Sequence, residues 1–183
     1  MRVMRLKEAY PTARVEVWCE DEMRLGLKPI VVRKVWSPIG QRSIVKVHRR
    51  YEWTYLYAFA RPETGEVHWL ILPTVNAEVF SLALEHFASE VGAGKSKKRV
   101  LLVVDGAGWH TAKKQRLKVP EGIHLKFLPA HSPELQPAER LWPLSNEGVA
   151  NRHFEEIEQM EEALAERCVA LVEQPEVIRS YLR

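Results

Sequence analysis

The feature that most constrains this chain is the run Val100-Leu101-Leu102-Val103-Val104, five consecutive apolar residues that end on Asp105. A strand with one wet face alternates apolar and polar side chains, so an unbroken run reads as a strand buried on both faces. Such a strand lies inside a sheet, beside parallel neighbours and under helices on either side. The chain supplies those helices. Asn76 can cap a helix running to about Val91, with Phe80, Ala83 or Leu84, Phe87 and Val91 on one face and Gly92 and Gly94 stopping it. Phe154, Ile157, Met160, Leu164, Cys168 and Leu171 mark a long amphipathic helix, and Pro175 starts a last short one.

Residues 15–21 alternate Val15, Val17 and Cys19 against Glu16, Trp18 and Glu20, which predicts a strand that ends with Asp21 on the side of its apolar face. Further strands are expected at 43–48, 52–61 and 66–72, the last two joined by the turn Pro62-Glu63-Thr64-Gly65. A short helix near 111–118, a strand at 123–128 and a Pro-rich loop lead to a helix opened by Pro137, a residue favoured at the first helical position. Antiparallel strands followed by helix, strand, helix, strand and helices predict an α/β fold with a mixed sheet covered on both faces. Ligands of such sheets gather near the carboxyl ends of the parallel strands, where Asp105 lies.

A length of 183 residues suits one domain, and 46% hydrophobic with 28% charged residues excludes a disordered or fibrous chain. No apolar run approaches the roughly 18 residues of a spanning helix, and the N-terminus lacks a signal-peptide core, so a cytoplasmic protein without membrane partners is expected. Cys19 and Cys168 form no CxxC pair and read as reduced, structural thiols. Histidines 48, 68, 86, 124, 131 and 153 have no tight ligand spacing, which disfavours zinc. Trp36, Trp53, Trp69 and Trp142 read as core or hairpin packing rather than base-stacking platforms.

Charge divides unevenly along the chain. Residues 1–150 hold 23 basic against 16 acidic side chains, and residues 151–183 hold 4 against 8. The basic excess clusters as Lys46, His48, Arg49 and Arg50, then Lys95 to Arg99, then Lys113, Lys114, Arg116 and Lys118. Such runs commonly only solvate a surface, but they also suit a polyanion partner.

Two strand-end aspartates, Asp21 and Asp105, and a glutamate on a following helix, Glu139, make a set of hard oxygen donors suited to Mg2+ or Mn2+. Two such ions about 3.5 to 4 Å apart serve in-line phosphoryl transfer. Taken singly, each acid also has a purely structural reading: a strand-end Asp as a turn or cap, Glu139 as a partner of the helix dipole. Residue pattern alone leaves Glu20, Asp21 and Glu22 in competition.

The surrounding blocks go further. Trp18-Cys19-Glu20-Asp21-Glu22, WSPIG at 36–40, VVDGAGWH at 103–110 and LPAHSPELQPAERLW at 128–142 resemble, over about residues 15–145, the successive signatures of DDE transposases of the mariner-like bacterial insertion-sequence superfamily. The last block, P-x-x-S-P-E-L-x-P-x-E-x-x-W, is the most specific, and 33 residues separate Asp105 from Glu139. The resemblance implies a ribonuclease H-like five-stranded sheet, three antiparallel strands then two parallel ones. It implies Asp21, Asp105 and Glu139 as catalytic metal ligands, two Mg2+ (or Mn2+) ions, and DNA cleavage at element ends followed by strand transfer. His110 is implied as a residue that touches phosphate or orients Asp105, with Lys46, Arg49, Arg50, Lys113 and Lys114 as DNA contacts. Gly106 and Gln136 depart from the family, which usually has Asn at both positions.

Residues 1–14 are expected to be a lead-in and 15–183 the catalytic domain. The helix-turn-helix that recognises element ends in such transposases is expected from another chain, a fusion or a lost segment, with homo-oligomers and a prokaryotic, nucleoid-associated location. Two other readings stay open: an inactive remnant acting as a DNA-binding or interaction module, and a ribonuclease H-like nuclease acting on RNA-containing duplexes.

Overall fold

The apolar run 100–104 lies in a strand, Lys98–Val104, on which Val100, Leu102 and Val104 are wholly buried. The structure, a computed structural model, describes residues 3–28, 34, 36–42, 44, 50–94, 97–111, 116–130 and 132–183. Its strands are β1 (Arg14–Gly26), β2 (Trp53–Ala60), β3 (Val67–Leu72), β4 (Lys98–Val104) and β5 (Ile123–Phe127), in the sheet order β3-β2-β1-β4-β5. The first three strands pair antiparallel, and β4 and β5 run parallel to β1. This is the mixed sheet that the residue pattern predicts, with the five strands that the family resemblance implies.

Helix α2 (Ala77–Val91) covers one face. Asn76 Oδ1 accepts from the amides of Glu78 and Val79, both at 2.9 Å, and Gly92 ends the helix at φ +68°, a left-handed value that glycine adopts without strain. Its Phe80, Leu84 and Phe87 pack on Trp18, Phe59 and Leu102. Each fully buried side chain of this size contributes roughly 1.5–3 kcal/mol. The other face carries the 3-10 turn Pro137–Leu141, α3 (Trp142–Ser145), α4 (Ile157–Val172) and α5 (Pro175–Leu182), which bury Ala138, Leu141, Leu164, Leu171 and Ile178. A further helix, α1 (Val3–Ala9), buries Leu6.

Several expectations are corrected. Strand β1 does not end at Asp21; β2 pairs with it as far as Gly26. What ends near Asp21 is the parallel ladder to β4, whose last pair is Cys19 with Val103. The supposed polar face of β1 is buried, with Trp18 and Glu20 both 0% exposed, because β1 is central and α2 covers that side. Glu16, buried there too, is neutralised by Arg14 (2.9 Å), Arg61 (3.2 Å) and Lys98 (3.3 Å).

Glu139 rides a 3-10 turn rather than the first turn of an α-helix, and α4 begins at Ile157, after Phe154. Thr111, Arg116, Leu117 and Lys118 are not helical, and residues 112–115 lie outside the described residues. The strand expected at 43–48 also lies outside them, apart from exposed Ile44. Trp69 and Trp142 pack together at 6.5 Å, but Trp36 and Trp53 are exposed rather than packed in the core.

Candidate active site

The last β1–β4 pair is Cys19 with Val103, so Asp21 lies two residues past it on β1 and Asp105 just past the end of β4. Asp105 leaves from the strand's end; Asp21 shares the phase of Cys19 and faces the side covered by the turn Pro137–Leu141. That turn carries Glu139, and the buried Gln136 just before it donates from Nε2 to the carbonyl of Glu20 at 2.8 Å. This bond ties the loop to β1. A side chain that departs from the family pattern thus anchors the segment bearing the third acid.

Asp21 is 9% exposed, and its Oδ2 accepts from Trp142 Nε1 at 3.2 Å. Burial, followed by the charges of Glu22, Glu139 and Asp105, pushes its carboxyl up to about 7. Glu139 is raised as well, by partial burial, then Asp105 and Glu134. The three acids therefore share one electrostatic environment. Asp105 is held from below: its Oδ1 accepts from the Ala107 amide at 2.9 Å and lies 2.6 Å from His110 Nδ1. A cavity of about 450 Å3 is lined by Asp105 and Glu139, though not by Asp21, together with Ala107, Ser132 and Gln136 among others. A larger one, about 900 Å3 between β3 and α4, contains none of the three acids.

The opposite phase of β1 directs Glu20 and Glu22 to the other side of the sheet, where His110 is buried against the Phe80 ring at 4.3 Å. His110 Nε2 lies 3.1 Å from Glu22 Oε1 and 3.5 Å from Glu20 Oε2, and Trp109 Nε1 donates to Glu22 Oε1 at 2.9 Å. Burial disfavours the imidazolium, but hydrogen bonds and charge from Glu22 and Asp105 outweigh it and raise the pKa. Burial, then Glu22, Asp21 and Asp105, hold Glu20 well above the carboxylate range. Sequence reasoning weighed Glu20 and Glu22 only as rivals of Asp21; their i, i+2 spacing was the available signal that they form a set of their own.

Of the basic side chains expected to touch DNA, Lys46, Arg49, Lys113 and Lys114 lie outside the described residues. Arg50 is exposed, donates to the Glu155 carbonyl at 3.0 Å and pairs with Glu52 at 3.4 Å. Gly106 faces open space, with no atom within 4 Å of a would-be Cβ. Cys19 and Cys168 are free, and burial pushes both thiols up to about 12. Among the described residues no helix is long and apolar enough to cross a membrane.

A family model described as DDE superfamily endonuclease matches residues 16–161. The uncharacterized protein y4pE/y4sA of Sinorhizobium fredii (strain NBRC 101917 / NGR234) is 33% identical over 129 residues, 70% of this chain and 92% of that one. Among solved structures, the Mos1 mariner paired-end complex with Mn aligns at TM-score 0.63 and 22% identity, covering 91% of this chain and 51% of that one. The Mos1 strand transfer complex gives 0.60 and 20%, covering 98% and 54%. The catalytic domain of Mos1 transposase gives 0.54 and 17%, covering 98% and 84%. This chain thus spans about half the length of the Mos1 chains in those complexes, and the likeness is one of fold: the sheet is ribonuclease H-like.

Proposed function

Because this chain belongs to the DDE superfamily endonucleases, we propose that it is a transposase catalytic domain that cleaves DNA at element ends and transfers the freed strand. The observation that supports the proposal is that Asp21, Asp105 just past the end of β4, and Glu139 on the turn tied to β1 are near enough for charge from the others to raise Asp21, and from Asp105 to raise Glu139.

The donor set fits a divalent ion. All three groups offer carboxylate oxygens, and burial and mutual repulsion raise Asp21 and Glu139, a penalty that a bound dication offsets. Asp21, Asp105 and Glu139 would hold Mg2+ or Mn2+, as two ions by our reading, supplying Lewis acidity at a phosphodiester and charge for the leaving oxygen. The chain's own part is positional. Trp142 fixes one oxygen of Asp21, while His110 and the Ala107 amide fix Asp105. Gln136 holds the Glu139 turn down on the strand. Together these bonds set three carboxylates in place before substrate arrives, the preorganisation that phosphoryl transfer rewards. DNA is the proposed partner, with the element ends read by a helix-turn-helix module outside this fold.

The test is cleavage of a supercoiled plasmid bearing the DNA that flanks the gene, with Mn2+, by the chain fused to or mixed with its end-binding partner. Nicked or linear product that disappears in Asp105→Ala is expected. Product formed equally by Asp105→Ala would overturn the assignment.

A further inference from the structure

We propose a second cation site, separate from the three acids above, formed by Glu20, Glu22 and His110 on the α2 side of β1. One ligand atom from each of the three lies within 4.8 Å of the others, and His110 Nε2 faces both Glu20 Oε2 and Glu22 Oε1. Two of the separations, 3.1 and 3.5 Å, match the ligand-to-ligand edges of a tetrahedral or octahedral ion with bonds of about 2.0–2.2 Å.

The independent observation is Glu20. Its side chain is 0% exposed, and neither carboxylate oxygen has a hydrogen-bond partner. A buried carboxyl group with neither oxygen hydrogen-bonded is costly whether charged or neutral. The imidazole does not remove that cost: its closer carboxylate contacts are Asp105 and Glu22, at 2.6 and 3.1 Å. An ion bound at Nε2, on the side of Glu20 and Glu22, would take the place of a proton there while Nδ1–H is donated to Asp105. Carboxylate, imidazole and ion in line is the usual arrangement at metal-bound histidines. The mixed nitrogen and oxygen donors select a borderline divalent ion such as Mn2+, Co2+ or Zn2+ over Mg2+. Trp109 Nε1 supports Glu22 from outside the set. An ion there would lock His110, and through it the orientation of Asp105, so the site is structural and coupled to the acids without touching a substrate.

The site does not depend on the transposase reading, and its test keeps the two apart. Full-length Asp21→Asn/Glu139→Gln protein is titrated with Co2+ and followed by visible absorption. One equivalent should bind with a ligand-field spectrum, lost in Glu20→Gln and His110→Gln made in the same background, and weakened about 10–100-fold by Asp105→Asn, the partner of the ligand histidine. An unchanged spectrum in folded Glu20→Gln overturns the proposal, as does the absence of any Co2+ bound by the Asp21→Asn/Glu139→Gln protein. Electron spin-echo measurements on the Mn2+-loaded wild-type chain need no folded variant: modulation from a histidine nitrogen is expected, and its absence refutes the site.

Discussion

Replacing Asp21 by Asn should stabilise the metal-free protein at neutral and higher pH. The Asp21 carboxyl is raised from 3.8 to about 7, so the folded state holds its proton more tightly than the unfolded chain does. Below about pH 4 both states are protonated and the group contributes nothing. As pH rises from about 4 to about 7 the unfolded chain ionises while the folded state keeps its proton, so stability falls, and it levels off above that. A shift of about three units corresponds to about 4 kcal/mol. Asn can still accept from Trp142 Nε1, but a charge-assisted bond becomes a neutral one, at a loss of about 1 kcal/mol. The net gain at pH 8 is therefore about 3 kcal/mol, or roughly 6–12 °C in Tm for a chain of this size. Urea unfolding in EDTA at pH 4 and pH 8 measures it: the two proteins should differ little at pH 4, and Asn should be the more stable at pH 8. Added Mn2+ should then raise wild type more than the variant, because the ion stabilises only the state that can hold it. Equal stabilities at pH 8, or a less stable variant, would refute the electrostatic account of this site.

Gln136→Ala should cost about 1–3 kcal/mol in urea unfolding, since it removes the donor to the Glu20 carbonyl, and it should weaken Mn2+ binding in calorimetry by freeing the Glu139 turn. Gly65→Ala should lower Tm sharply, because φ is +82° there and a Cβ would lie 1.9 Å from the Pro175 carbonyl oxygen. Gly106→Asn, the family-like change, should stay within about 0.5 kcal/mol of wild type, because that side chain meets nothing. Glu16→Ala should cost about 3–5 kcal/mol in urea unfolding, leaving the buried Arg61 with only the surface carboxylate of Glu63.

Much of the fold was legible because local signals were strong. The unbroken run at 100–104 announced an internal strand, and Asn76 and Gly92 bracketed α2 as their cap chemistry requires. The faces of β1 were misread because alternation assumes that polar residues face water. Here Glu16 is buried among three cations and Glu20 inside an acid and imidazole cluster, and Arg61, Lys98 and His110, which complete these groups, come from other parts of the chain. Asp21 and Asp105 were each visible as acids beside apolar runs, but their alignment is a property of the β1–β4 register, which only the paired strands express. The anchoring role of Gln136 depends on a contact 116 residues away in sequence, beyond any local pattern.

The central claim is that Asp21, Asp105 and Glu139 form one metal site. Anomalous diffraction from crystals soaked in Mn2+ tests it most directly. A manganese peak coordinated by carboxylate oxygens of all three residues is predicted; manganese bound only elsewhere, or a peak that leaves Asp21 or Glu139 uncoordinated, would contradict it.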